Sequence, residues 1–225
     1  MLSGPHLFPF GPFVAAVVVA STTQGRAGVM DLIARCLRWR VGVGWYAAAL
    51  LVPAAIALTT FAIAVASGAP ARELGAWRTL IVLFPAAMID APLWEESGWR
   101  GYALPRFPAD RSRLANTLLL AVLLAGWHLP IALGGGGAVV VPYLIATVGS
   151  AVVTNWVYYG AGGSALLAIL YHAAANTAGM FCAPISSGPG AATSLWSLAA
   201  VNGVVAAAVI CAGGLLRPVE RVDHP

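Results

Sequence analysis

The sequence predicts an all-α fold, a polytopic bundle of about seven transmembrane helices around a polar cavity. Three observations lead to this prediction. The 225-residue chain is 60% hydrophobic and only 9% charged, and its mean hydropathy of +0.85 lies outside the range of water-soluble domains. Apolar windows close to the ~20 residues needed to cross a bilayer recur along the whole chain. The few ionisable residues inside these windows are grouped, which indicates a polar interior.

The apolar windows follow one another from end to end. They fall near 8–24, 43–67, 79–98, 114–133, 138–158, 163–183 and 194–216. The first window is short, so the sequence leaves open whether a further helix precedes it. The glycine-rich stretches at 134–137 and 160–164 separate windows and are expected to form turns. No internal repeat or linker divides the chain, so we interpret residues 1–225 as a single integral-membrane domain.

Residues 25–42, between the first two windows, combine apolar and basic side chains. The two kinds alternate at roughly helical spacing, at Met30, Leu32, Ile33, Arg35, Cys36, Leu37, Arg38 and Arg40. An amphipathic helix lying in the membrane interface would show this pattern. A cytoplasmic loop explains it equally well, and both alternatives remain open.

The arginines predict the orientation of the chain. With residues 25–42 on the cytoplasmic side, ten arginines lie on cytoplasmic loops and only Arg72 and Arg78 face outward. Because basic residues accumulate on the cytoplasmic side, we expect the N-terminus outside and the C-terminus in the cytoplasm. Glu95 and Glu96 fall at the inner end of the third window, so we also expect the cavity to open towards the cytoplasm.

Charge and cysteine content exclude other classes of function. The arginines are scattered and do not interleave with aromatic residues on one face, so nucleic acid is not an expected partner. Cys36, Cys182 and Cys211 stand far apart without a C-x-x-C spacing, which predicts neither a disulfide framework nor a thiolate zinc site. Membrane lipid is the partner that composition does predict.

Polar side chains on three windows form the candidate site: Glu95, Glu96, Arg100, His128, His172 and Asn176. A charge near the bilayer centre costs roughly 2.5–3.5 kcal/mol on insertion scales, so such groups usually face the bundle interior and pair there. Glu96 and Arg100 are four residues apart and are expected to form a salt bridge, whereas Glu95 points about 100° away around the helix. Asp90 is expected only to cap a helix or pair locally.

This set of residue types suits hydrolysis. A carboxylate can take a proton from water, an imidazole can hold that water, and a second imidazole with a carboxamide can donate to an oxyanion. His172 and Asn176, four residues apart, share one helix face. Taken singly, a histidine or asparagine in a membrane helix is more often an interhelical hydrogen-bond partner. A proton-coupled transporter would also carry Glu and His inside a bundle, but usually with inverted repeats, which are absent from this sequence.

Three short motifs resemble those of the CAAX-processing, Abi-like (CPBP) intramembrane metalloproteases, which include the type II CAAX prenyl endopeptidases. EESGWR at 95–100 is similar to their E-E-x-x-x-R motif, and HAAAN at 172–176 to H-x-x-x-N. LAGWH at 124–128 is similar to F-x-x-x-H, with Leu124 in place of the usual phenylalanine. Each motif alone is weak, but all three in order, on separate windows, are specific.

The resemblance implies an endopeptidase with a catalytic core at about 79–183, a peptide or protein substrate and a location in a bacterial plasma membrane. It implies that Glu95 and His128 activate water, that His172 and Asn176 form an oxyanion hole, and that Glu96 and Arg100 support them. A non-catalytic membrane partner or a bacteriocin self-immunity protein on the same fold is the alternative. Zinc stays open: Glu95, His128 and His172 could supply a two-His, one-carboxylate ligand set, yet the same residues can act on water without a metal.

Overall fold

The computed structural model describes residues 9–69, 77–182 and 190–216. All regular structure in these ranges is helical, as predicted. The α-helices are α1 (Gly11–Cys36), α2 (Val43–Ala66), α3 (Leu80–Asp90), α4 (Pro92–Gly98), α5 (Arg113–Gly134), α6 (Gly137–Gly160), α7 (Ala165–Cys182) and α8 (Ala191–Cys211).

Within the described ranges, six helices are long and apolar enough to cross a membrane: α1, α2, α5, α6, α7 and α8. The remaining predicted span, 79–98, is divided into α3 and α4. Ala91 leaves the helical conformation, with φ −132° and ψ −46°, and Pro92 starts α4. Proline disfavours helical backbone at the residue before it and lacks an N–H, which explains a break at this position.

A second break divides α1. Gly25 has φ 61° and ψ −147°, a backbone region open essentially only to glycine. Residues 11–24 therefore rise only about 21 Å, at 1.5 Å per residue, before the chain turns. Residues 26–36 continue as a helical segment that ends before Trp39, which fits the helical alternative for 25–42 over those residues; its position in the membrane interface stays a prediction.

Two apolar clusters hold the bundle together. The larger cluster packs α2, α6, α7 and α8 against one another through residues such as Val153, Val157 and Leu167, all fully buried. The second packs Leu104, which follows α4, against α5 and α6 at Leu120 and Tyr158. Together the clusters fill one half of the bundle.

α1 packs closely on α4. A Cβ added to Gly98 would overlap the backbone of Pro12, and one added to Gly101 would lie 2.8 Å from Cδ1 of Leu32. Glycine at these positions lets both segments of α1 approach the residues that carry the two glutamates and Arg100.

The helix ends define two faces, which we call the arginine-rich end and the arginine-poor end. At the arginine-rich end, Nη1 of Arg38 donates to the Gly162 carbonyl at 2.5 Å, and the Leu114 N–H donates to the Leu215 carbonyl at 2.9 Å. The described arginines lie at or near this end except for Arg78, which begins α3 at the arginine-poor end. Arg72, Arg217 and Arg221, also used to predict orientation, lie outside the described residues.

Candidate active site

A cavity of ≈ 580 Å³ lies inside the bundle, and all six candidate residues line it. Glu95 and Glu96 come from α4, Arg100 from the turn of π-helix at Trp99–Ala103 that follows it, His128 from α5, and His172 and Asn176 from α7. The three motifs therefore meet in space. Irregular helical turns of the π type occur often at functional sites, because they re-aim side chains.

Glu96 and Arg100 form the salt bridge that their spacing predicts. Nη1 of Arg100 lies 3.0 Å from Oε1 and 2.8 Å from Oε2 of Glu96, and the two side chains are only 2% and 4% exposed. His172 adds a third member, since its Nδ1 lies 2.9 Å from Oε1 of Glu96. A buried ion pair is costly to leave incomplete, and these contacts compensate both charges.

Two residues that the sequence analysis missed complete this group. Nε of Arg100 donates to Oδ1 of Asn155 at 2.9 Å, and Nδ2 of Asn155 donates to Oγ1 of Thr117 at 3.2 Å. Both side chains are fully buried. We call Glu96, Arg100, His172, Asn155 and Thr117 the buried network. An amide inside an otherwise apolar span was the available signal for Asn155.

Glu95 lies outside this network. It is also buried, at 6% exposure, but it borders the cavity, and its Oε1 accepts a hydrogen bond from Nε1 of Trp127 at 3.2 Å. Among the described residues no arginine pairs with it. The prediction that one glutamate is paired and its neighbour is free of an ion pair is therefore confirmed.

His128 is held by its own helix. Its Nδ1 lies 2.9 Å from the Leu124 carbonyl, and since a carbonyl only accepts, Nδ1 carries the proton. Nε2 is then the nitrogen with a lone pair. Pro130 does not end the helix, which continues to Gly134.

Tyr143 is a further cavity residue that the sequence analysis did not single out. Its ring centroid lies 6.2 Å from that of His128, and its phenol interacts electrostatically with Glu95. Within the described part of the chain the phenol has no hydrogen-bond partner. A tyrosine within an apolar span was the only sequence signal for it.

Asn176 and Asp90 complete the polar lining. Asn176 lies one turn beyond His172 on α7, and its carboxamide bonds to no other described residue, so it is available to a ligand. Asp90, at the end of α3, is exposed and lines the same cavity. We expected Asp90 to cap a helix or pair locally, but it makes no ion pair among the described residues.

The residues that the sequence leaves open as zinc ligands are not gathered as a metal site. Within the ranges that the structure describes, no three His, Cys, Asp or Glu side chains converge as ligands of one ion. Glu95, His128 and His172 line one cavity but do not fit a three-ligand zinc centre in this arrangement.

The lining of the cavity lies nearer the arginine-poor end of the bundle than the arginine-rich end. Its lining runs from Arg100 and Tyr171 to Tyr143, Cys182 and Ser194, near the arginine-poor ends of α6, α7 and α8. Among the described residues, Arg100, Thr154 and Tyr171 bound it towards the arginine-rich end. The buried network and the two apolar clusters fill the arginine-rich half, and the opening of the cavity towards the cytoplasm stays a prediction.

Comparison with known proteins shows which family this region is similar to. Residues 76–178 match the family model described as "Type II CAAX prenyl endopeptidase Rce1-like". The match contains all six candidate residues and confirms the resemblance that the motifs carry. No curated protein matches the chain. The matched family is a family of proteases, and with the membrane-spanning helices the match indicates an integral membrane protein.

Proposed function

We propose that this chain, Rce1-like over residues 76–178, is an intramembrane endopeptidase that hydrolyses a peptide bond with a water activated by Glu95 and His128. The observation that carries the proposal is the different engagement of the two glutamates. Glu96 is saturated by Arg100 and His172, whereas Glu95 makes one hydrogen bond, to Trp127, and borders the cavity. Glu95 is therefore the carboxylate with capacity to accept a proton.

His128 is the second group on the attacking water. With Nδ1–H donated to the Leu124 carbonyl, its Nε2 lone pair accepts a hydrogen bond from water. Glu95 accepts the other water proton as attack begins, so the two groups orient and deprotonate the nucleophile. A helix backbone fixes the imidazole tautomer, and no further side chain is required.

His172 and Asn176 are suited to stabilise the negative charge that develops on the substrate carbonyl oxygen. The carboxylate of Glu96 stabilises the imidazolium form of His172 through Nδ1, and in that form Nε2 also donates a hydrogen bond. Nδ2 of Asn176 is a second donor on the same helix face. Two donors aimed into a cavity of low dielectric stabilise the oxyanion that forms on the carbonyl of the scissile bond.

The reaction then proceeds in two proton transfers. Water oxygen bonds to the carbonyl carbon while one water proton moves to Glu95, which gives a tetrahedral oxyanion held by His172 and Asn176. The carbon–nitrogen bond breaks as the protonated Glu95 returns its proton to the leaving amine. The products are a carboxylic acid and an amine, and the enzyme regains its starting charge.

The test is proteolysis of a quenched library of membrane peptides by the purified protein in detergent. We expect cleavage by the wild type, none by Glu95→Ala or His172→Ala, and full cleavage in the presence of a strong zinc chelator. Asp110→Asn is the matched control, because it neutralises an exposed loop carboxylate. Absence of cleavage by a folded wild type would sink the proposal, and loss with the chelator that zinc restores would assign the site to a metal.

A further inference from the structure

Tyr143 brings a fourth helix to the candidate active site. It belongs to α6, whereas the glutamates and histidines come from α4, α5 and α7, and it lines the cavity together with Glu95 and His128. Its ring centroid lies 6.2 Å from that of the His128 imidazole, with the two planes tilted by 47°. The phenol also interacts electrostatically with the Glu95 carboxylate. Tyr143 therefore lies beside both residues that the proposed function assigns to the nucleophilic water.

The helix around Tyr143 restricts where its hydroxyl can lie. Pro142, immediately before it, is buried inside α6, and the Tyr143 carbonyl accepts a hydrogen bond from Oγ1 of Thr147 at 2.9 Å. A tyrosine side chain has only two torsions, so a ring on a regular helix that packs beside an imidazole has few positions available. The hydroxyl is thus presented to the cavity from a rigid element, as precise positioning of a reacting group requires.

The Tyr143 hydroxyl makes no hydrogen bond to any other described residue, although the side chain is half-buried. By contrast, Tyr46 donates to the Trp39 carbonyl at 2.7 Å, and Thr147 and Thr154 on α6 donate to carbonyls one turn earlier. A phenol removed from bulk solvent usually has a hydrogen-bond partner. The partner of Tyr143 is therefore expected to be a group that enters the cavity, either water or substrate.

The hydrogen-bonding capacities of three side chains suit one water molecule. Oε1 of Glu95 accepts from Trp127, so Oε2 remains an acceptor, and Nε2 of His128 carries a lone pair because Nδ1–H faces the Leu124 carbonyl. These two acceptors take both protons of the water. A phenol keeps its proton at neutral pH and can donate it to one lone pair of the same oxygen. The second lone pair is left to attack the carbonyl carbon.

We infer that Tyr143 is the third hydrogen-bond partner of the nucleophilic water: its O–H donates to the water oxygen while Glu95 and His128 hold the two water protons. The inference rests on the proposed peptidase function. The phenol keeps its own proton throughout, so the proton balance of hydrolysis is unchanged. Its contribution is to orient the remaining lone pair towards the scissile carbonyl, and such orientation lowers the barrier to attack.

Binding of the substrate by the same hydroxyl would have a different kinetic signature. A hydroxyl that binds the peptide equally in the ground state and the transition state lowers KM without changing kcat. A hydroxyl that orients water acts on the chemical step, so its removal lowers kcat and leaves KM unchanged. Steady-state kinetics therefore distinguish the two partners of Tyr143.

Tyr143→Phe removes the hydroxyl and keeps the ring. For cleavage of a quenched membrane peptide by the purified protein in detergent, we expect kcat to fall about 3–10-fold, the size of one net hydrogen bond. KM and the thermal unfolding midpoint should stay at the wild-type values. Tyr159→Phe is the matched control, because it removes a hydroxyl from the same helix at a residue that packs on the two apolar clusters and does not line the cavity. Its kcat and KM should equal those of the wild type.

A double variant separates an effect on water from a change in packing. Without the Glu95 carboxylate the water is no longer activated, so Tyr143→Phe should cost less than about threefold in a Glu95→Gln background, because residues that act as a unit do not contribute independently. A packing defect would instead multiply with the loss in Glu95→Gln. Single-turnover cleavage with enzyme in excess measures the low residual rates.

The outcomes separate this inference from the function on which it rests. Unchanged kcat in Tyr143→Phe, a rise in KM alone, or losses that multiply with those of Glu95→Gln would overturn the role of Tyr143 and leave the peptidase proposal intact. A folded wild type that cleaves no peptide would defeat the peptidase proposal, and this inference with it.

Discussion

Glu95 and Glu96 are adjacent in the chain, yet they lie in two regions that are built differently. Glu96 belongs to the buried network, where Arg100, Asn155, Thr117 and His172 satisfy one another. Glu95 faces the cavity with one hydrogen bond from Trp127. In the proposed function, the same side chain is a structural ion in one region and a reactive group in the other, because its partners set how much capacity it has left for protons.

The largest expected effect comes from making the same substitution in both regions. Glu95→Gln removes the proton acceptor but keeps the shape, so we expect a loss of about 10²–10⁴ in kcat, the usual contribution of a general base. Its thermal stability in detergent should match that of the wild type. Glu96→Gln should instead lower stability, because it leaves Arg100 buried without a counter-charge. Equal stability losses in Glu95→Gln and Glu96→Gln would contradict the difference between the two regions.

Removal of the Arg100 cation is a second test of the buried network. Arg100→Met should destabilise the protein by about 3–5 kcal/mol, the cost of leaving one buried charge unpaired. The double variant Glu96→Gln/Arg100→Met should be less destabilised than the sum of the two single variants, because it leaves no unpaired charge. Reversible unfolding in mixed micelles measures both values, and strictly additive losses would contradict the network.

On the cavity side, Asn176→Ala should lower kcat about 10²–10³-fold, as loss of one oxyanion donor does elsewhere. KM should change little, since the donor acts on charge that develops in the transition state. Asn202→Ala is the matched control: this asparagine also lines the cavity, but its Nδ2 donates to the Leu198 carbonyl. Equal activity losses in the two variants would remove Asn176 from the site.

The smallest expected effect concerns the packing of α1 against α4, the helix that carries the glutamates. Gly98→Ala places a methyl group against the backbone of Pro12, and overpacking of this kind costs about 1–3 kcal/mol. Gly203→Ala is its control, because a Cβ there meets nothing within 4 Å, and it should be neutral or slightly stabilising. Thermal unfolding of the two variants gives the comparison, and no difference would mean that α1 does not pack tightly on α4.

Much of this arrangement could be predicted from local pattern. The helix positions followed from hydropathy, and the Glu96–Arg100 pair from a spacing of four residues. In the structure, α4, α5 and α7 bring the three motifs to one cavity, while the catalytic roles of the motif residues stay a prediction. These features could be predicted from the sequence because each depends on short-range periodicity or on the cost of isolated charge in a membrane.

Other features depended on contacts distant in sequence. His172 pairs with Glu96 across 76 positions and Asn155 with Arg100 across 55, and no periodicity specifies such partners. The arginine count indicates which end faces the cytoplasm, but it carries no information about which half of the bundle is filled. The filling of the arginine-rich half therefore could not be predicted from the arginines.

The break at Ala91 and Pro92 also separates the cavity wall on α3 from the glutamates on α4. α3 contributes Ala87 and Asp90 to the cavity wall, while α4 carries the glutamates and packs on α1. Only one non-helical residue joins them, supported by the hydrogen bond from Nε1 of Trp94 to the Ile89 carbonyl at 2.7 Å. For the proposed peptidase, substitutions in α3 can thus alter which peptides fit without moving the glutamates of α4. Selectivity and chemistry can diversify independently in proteins built this way.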